Sequence, residues 1–365
     1  MKFRSCALVI LLSASFSFSA SAENIRIQSN EPGNLFYVKE QIDVTISPGT
    51  DGGKPAVSLT VFLHNGENVE MDRKKFPVPD EDDPVIRYKP DDPPPGYYTC
   101  SVDVTYSGGS EKSSFLKLAV IRKPRDIFSP ENNPFAVDAF LSWRCESEEA
   151  MKNASLLMKK AGIRWVRDRI SWNHVQESPT EWGWSRYDPS QEIQSDHDLR
   201  ILQVLQDTAV WASEKKTGET ETRKKYPPSD LRDYYNFTSE AARRYRDEVH
   251  AWEMWNEFDI PVFFLGEADE YAAVLKAGSI GVRDGNPSAQ ILSGSVTLGS
   301  GLITWGDESY FDEEGIRYIE KVMENGAGGY FDVFNVHHYG PVEGVTGKIR
   351  QCRAIMKKYD CQKPL

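Results

Sequence analysis

The stretch His250–Pro261, HAWEMWNEFDIP, sets two carboxylates, Glu253 and Glu257, among Ala251, Trp252, Met254, Trp255 and Phe258. A carboxyl in such apolar company is costly unless it is paired or kept for chemistry. The pattern predicts a short buried strand that runs into a Trp-Asn-Glu triplet and then dissolves into a polar turn. Glu257 falls where that strand ends, at a rim where a site can open, so it is the better candidate for proton transfer. Asn256, directly before it, could hold a substrate hydroxyl or the carboxyl itself. The alternative is a buried glutamate satisfied by a neighbouring arginine.

The elements that must position these groups are strands alternating with amphipathic helices, a pattern of βα units on a parallel sheet. Strands are expected at 135–141, 163–170, 199–206, in the opening stretch, at 290–294 and at 331–336. Helices are expected at 146–161, near 189–197, within 231–248, and at 268–284, 313–325 and 345–359. Six such units in tandem favour a (β/α)₈ barrel over a doubly wound sheet, and no Gly-rich phosphate fingerprint follows the first strand. In a barrel, reactive residues lie just past the C-terminal ends of the strands. That rule collects 138–143, Arg167 and Trp172, Asp207 and Trp211, Asn256 and Glu257, and 337–339.

Ahead of this region the pattern is different. Lys2 and Arg4, the apolar run 7–12 and the small residues ending Ala20-Ser21-Ala22 read as an export signal over residues 1–22. Residues 23–122 carry short β-patterned runs separated by turn-rich pieces, with a hairpin signal around Ser107-Gly108-Gly109, and imply a small Ig-like all-β sandwich. None of the nine tryptophans lies there, which favours a structural role over sugar binding. Residues 123–134 form a linker, and 135–365 the barrel. Loss of Lys2 and Arg4 with the signal would take the formal charge from −12 to −14, an acidity that argues against nucleic acid and anionic membranes and is compatible with neutral polymers. The location expected is secreted or periplasmic, with no membrane insertion. The four cysteines past the signal resemble no metal site. Cys352 and Cys361 are the best disulfide pair, and free buried thiols an equal alternative. Asn153-Ala154-Ser155 and Asn236-Phe237-Thr238 fit the glycosylation pattern.

Four pieces then carry a resemblance: AGIRWVRDRISW at 161–172, HAWEMWNEFD at 250–259 followed by FFLGEADEY, NPSAQILSGS at 286–295, and FDVFNVHHYG at 331–340. In order and spacing, residues 135–365 resemble the retaining glycoside hydrolases of the (β/α)₈ clan with a strand-four Asn-Glu acid/base. The likeness is strongest to the β-xylosidase and α-L-iduronidase family, family 39. The resemblance implies Glu257 as general acid/base, Asn256 on the sugar 2-hydroxyl, Arg167 against the nucleophile, and His337 and Tyr339 as the H-x-Y pair ending strand six. It implies no cofactor and no metal, and a carbohydrate as the partner. The family's nucleophile is a glutamate near the end of strand seven, past Leu365, so the chain is expected to be a TIM barrel truncated after about six βα units.

A retaining enzyme needs two carboxyls about 5–5.5 Å apart. If the strand continues to Glu257, Glu253 lies about 13 Å down it, too far to serve. Asp168 and Asp207 are the other rim-level carboxylates, and each has a bland alternative, an arginine partner or a turn cap. Trp143, Trp172, Trp211 and Trp305 sit in rim loops where a sugar face could stack, and Trp172 and Trp211 are taken as substrate-binding. Trp165 and Trp252 are expected in the core. His337 and His338, adjacent on a strand, face opposite ways and do not share a metal. Two functions follow: an exported glycosidase, or a non-catalytic sugar-binding scaffold. A metal-dependent lyase lacks a ligand cluster.

Overall fold

A computed structural model describes residues 25–125, 128–298, 313–339 and 342–365. The expected export signal and Trp305 lie outside the described residues. By its contacts the chain forms two units: residues up to Ser129 with Glu149–Ile163, and Pro130–Glu148 with Arg164–Leu365.

The first unit contains β1 (Arg26–Ser29), β2 (Leu35–Tyr37), β3 (Val44–Ser47), β4 (Thr50–Asp51), β5 (Lys54–Asn65), β6 (Glu70–Pro77), β7 (Ile86–Tyr88), β8 (Gly96–Tyr106) and β9 (Glu111–Ile121). One sheet has the order β1-β3-β7; the other runs β2-β9-β8-β5-β4, with β6 also on β5. The alternation visible in VSLTVFL and TCSVDVTY sends Leu59, Val61 and Leu63 of β5 and Cys100, Val102 and Val104 of β8 to the buried side. They share one core with Val44 and Ile46 of β3 and Tyr88 of β7. β8 and β9 form the hairpin expected around Ser107-Gly108-Gly109.

The same unit takes in most of the helix Glu148–Lys160. Its last residue is a buried lysine: Lys160 Nζ donates to Glu31 Oε2 (2.9 Å), Glu40 Oε2 (3.0 Å) and the Leu35 carbonyl (2.9 Å). Burial works against this charge, but the two carboxylates outweigh it and raise the Lys160 pKa. Lys160→Met strands both glutamates and a carbonyl. We expect a loss of about 2 kcal/mol, read as a lower urea midpoint at unchanged slope.

The second unit is built on a parallel sheet of β10 (Ala136–Asp138), β11 (Trp165–Ser171), β12 (Arg200–Gln206), β13 (Val249–Met254) and β14 (Gln290–Ser293). Strand order follows chain order, and the reversal that marks a doubly wound sheet does not occur among the described strands. The sixth expected strand reduces to two parallel bridges, Leu292 to Val333 and Val296 to Val336. Side chains replace part of its ladder: Asp332 Oδ2 accepts from Ile291 N–H and Ser293 Oγ from Asn335 N–H.

β13 is covered on both faces, as its apolar run requires. Helix Leu231–Arg244, capped by Asp230 on Arg232 N–H, buries Tyr234, Phe237, Ala241 and Ala242. Helix Ala268–Gly285 packs on it closely enough that a Cβ at Gly281 would meet the Tyr235 carbonyl and Thr238 Oγ1. The Cys352–Cys361 pairing does not form. Cys100, Cys145, Cys352 and Cys361 are all free, and Cys352 lies inside helix Val342–Lys358 while Cys361 follows its end. Among the described residues no helix is long and apolar enough to cross a membrane.

Candidate active site

β13 stops at Met254, three residues short of Glu257, because the backbone turns into the left-handed region at Trp255 (φ 78°) and again at Glu257 (φ 42°). Non-glycine residues held there cost of order 1 kcal/mol or more each and mark sites that their surroundings over-determine. The restraints are visible. Trp255 is buried, its N–H donates to the Leu205 carbonyl (3.0 Å) and its Nε1–H to the Phe263 carbonyl (3.0 Å). Glu257 N–H donates to Ser295 Oγ (2.9 Å). Tyr271 bonds both the Met254 carbonyl and Gly294 N–H at 2.8 Å. The strand ends come so close here that a Cβ at Gly294 would strike the Met254 carbonyl.

The turn swings the Glu257 carboxylate toward the end of the sixth strand position. Its Oε1 lies 2.6 Å from His337 Nδ1 and accepts from the Tyr339 hydroxyl at 3.0 Å; that hydroxyl is also 3.0 Å from His337 Nδ1. Burial works to raise the Glu257 pKa, but the His337 and Tyr339 bonds, helped by Arg167, outweigh it and hold the carboxyl below its ordinary range. Burial and the Glu257 charge push Tyr339 up to about 12. Tyr339→Phe removes a donor to the charged form, so the Glu257 pKa must rise. We expect a kcat/KM profile whose alkaline limb, set by loss of the Glu257 proton, moves to higher pH.

Beneath the carboxyl lies a charged lattice. Arg167 donates through Nε and Nη2 to both oxygens of the fully buried Glu253 (2.7 and 2.8 Å), through Nη1 to Asp138 (2.8 Å) and through Nη2 to Asn256 Oδ1 (2.8 Å). Arg169, two residues on and so on the same face of β11, grips both Asp138 oxygens (2.7 and 3.0 Å) and reaches Asn256 Oδ1 at 3.2 Å. Its guanidinium centre lies 3.6 Å from the Phe140 ring centroid. The Asn256 carbonyl thus faces two guanidinium groups.

Several expectations change here. Trp172 is fully buried: it stacks on Phe237 (centroids 5.5 Å apart), meets Trp211 edge to face and bonds Gln176 through Nε1. A ring with no exposed face cannot stack a sugar, because the short helix it opens, Trp172–Val175, turns it back into the core. Trp211 stays half-buried, with Nε1–H on the Gln176 carbonyl. Glu253 is removed from acid/base work by the two hydrogen bonds it accepts from Arg167; the strand-spacing reason fails, since extended backbone ends at Met254. Asp168 points away from Arg167 into the helix layer, where Ser190 Oγ and Gln194 Nε2 donate to it and burial pushes it up to about 6. Arg169 and Ser295 also belong to the site and are not among the residues that motif and spacing select. The R-x-R spacing in a buried strand could have found the first; a lone serine offers no signal.

No protein-family model and no curated protein matches this chain. Among solved structures, one similar chain is a family 39 glycoside hydrolase from the gut symbiont Bacteroides cellulosilyticus WH2. The TM-score is 0.60 at 17% identity over 86% of this chain. The fold is that of a glycoside hydrolase. The chain spans 57% of that structure's length. Weaker likenesses are to a β-galactosidase from the psychrophilic Marinomonas ef1 (TM-score 0.41, 14% identity, 56% of this chain and 40% of that one) and a β-glucuronidase of Parabacteroides merdae (0.35, 11%, 92% and 38%). With scores that low, the glycoside hydrolase fold rests on the family 39 likeness, which at 17% identity carries the fold alone.

Proposed function

We infer that this protein is an exported glycoside hydrolase on a (β/α)₈ barrel, preceded by a β-sandwich of structural role, and that it cleaves O-glycosidic bonds with retention. Glu257 is the acid/base, giving its proton to the departing sugar oxygen and then taking one from the attacking water. Asn256 holds a sugar hydroxyl, His337 and Tyr339 orient the acid/base, and Trp211 lines the sugar's approach. The carrying observation is the Glu257 carboxyl at a strand end, bonded by His337 and Tyr339 beside an Asn256 whose orientation two arginines set.

The attacking carboxylate belongs on a seventh strand. Among the described residues, Phe334 N–H donates to the Pro364 carbonyl at 2.9 Å, next to the sixth strand position. A carboxylate arriving within about 5.5 Å would raise the Glu257 pKa by like-charge repulsion and so supply the protonated form the first step needs. The second reading, a sugar-binding protein without catalysis, is favoured by one feature: the His337 and Tyr339 contacts hold the Glu257 pKa below its ordinary range, where a general acid needs it raised. Release of a chromogenic aglycone from aryl β-xyloside, β-glucoside or β-galactoside separates the two, with Glu257→Ala as control. Equal release by mutant and parent would overturn the acid/base assignment.

A further inference from the structure

A lysine stands where helix periodicity calls for an apolar side chain. In helix Val342–Lys358, Lys348, Cys352, Ile355 and Met356 recur at the spacing of one helix face, and all four are buried. Lys348 is 4% exposed, yet its two acceptors among the described residues are main-chain carbonyls and not carboxylates: Thr297 at 2.8 Å and His337 at 3.1 Å. Burial pushes its pKa down, against the pull of Asp259, Cys352 and Glu257. A methionine would fill the same stripe without the cost of desolvating a charge, so packing does not account for the ammonium.

What it grips lies just past the end of a ladder. Val296 N–H donates to the Asn335 carbonyl (3.2 Å) and His337 N–H to the Val296 carbonyl (2.9 Å), after which the first segment turns into the left-handed region at Leu298 (φ 58°). The ammonium takes one carbonyl from each segment, Thr297 and His337. Thr297 is held from its other end as well: its N–H donates to both oxygens of Asp259 (3.0 and 2.9 Å) and its Oγ1 to Oδ2 (3.2 Å). Asp259 follows Glu257 by two residues, and the His337 ring returns to the Glu257 carboxylate at 2.6 Å. The contacts close a circuit that leaves Glu257 along its backbone and comes back to its side chain. Lys348 joins the two halves of that circuit.

We propose that Lys348 is a positioning residue for Glu257: by tying the Thr297 and His337 carbonyls together, its ammonium holds the His337 ring on the carboxylate. This rests on the glycosidase reading for what Glu257 does, and not for the tether itself. The test is a carbon NMR titration of the Glu257 side-chain carboxyl in the full chain, its signal assigned by its absence from Glu257→Gln, with melting temperatures and aryl-glycoside kinetics alongside. Lys348→Met completes the apolar stripe and deletes every donor. With His337 loosened, burial is opposed by less and the carboxyl should titrate at higher pH than in the parent. The kcat on aryl glycosides should fall by about 10- to 100-fold with KM little changed.

A double-variant cycle separates the tether from the bare field of the ammonium, which also favours an ionised Glu257. In a His337→Ala background, adding Lys348→Met should move the Glu257 titration no further. A second shift as large as the first would show the charge acting directly and overturn the positioning role. So would a folded Lys348→Met whose Glu257 titrates as the parent's does, whatever its melting point. If Lys348→Met does not fold, Lys348→Gln, neutral and polar, takes the same titration, and an unmoved midpoint there overturns the proposal equally. If the parent cleaves no aryl glycoside, the catalytic reading fails, while an upward shift lost in the His337→Ala background still establishes the tether.

Discussion

Glu257→Gln should lower kcat/KM for a natural glycoside by about 10²- to 10⁴-fold, the span general acid–base catalysis supplies. This equals about 3–5 kcal/mol of barrier. The amide is nearly isosteric and keeps bonds to His337 and Tyr339, so the loss reports the missing proton and not a collapsed site. The deficit should shrink on aryl glycosides with good leaving groups, because such leaving groups depart without protonation. Added azide should then speed turnover by attacking the glycosyl-enzyme, a step that no longer needs a base. Steady-state rates across a series of leaving groups make the measurement. A deficit that ignores leaving-group quality would sink the assignment.

Arg167→Leu should be the most damaging substitution for stability, at about 3–5 kcal/mol. It strips Glu253, which is wholly buried, of both guanidinium bonds; only Ser295 N–H, 3.2 Å from Oε1, remains. It also frees one side of Asp138 and of Asn256. Burial opposes the Arg167 charge, but Glu253 and Asp138 outweigh it and raise its pKa. The double variant Arg167→Leu/Glu253→Leu should recover much of the loss, since removing both partners leaves no uncompensated charge. Chemical denaturation of the singles and the double checks this; equal stability of the single and double variants would contradict it.

The alternating strands and helices of the second unit were legible because their periods differ and their faces are apolar. The strand of 249–254 stood out as an apolar run bearing two carboxylates. What stayed hidden was local backbone. Nothing in Trp255, Asp207 or Glu257 announces positive φ, so the sequence pattern alone carries the fourth strand on to Glu257. β6, EMDRKKFP, carries no apolar stripe in the sequence, because it pairs with β5 and alternates between half-buried and exposed positions. The rim position that sequence implies for Trp172 misleads, because position after a strand says nothing of which way a short helix turns. His337 and Tyr339, two residues apart, did reveal their shared face, since side chains on extended backbone alternate.

The Asn256 side chain has one further consequence. Guanidinium groups can only donate, so two of them facing one amide settle which end is oxygen without any need to see hydrogens. The nitrogen end must then look outward, making this position a pure donor toward any visitor. An inhibitor built for this cleft should therefore present a lone pair there; a group that can offer only a proton would meet another proton.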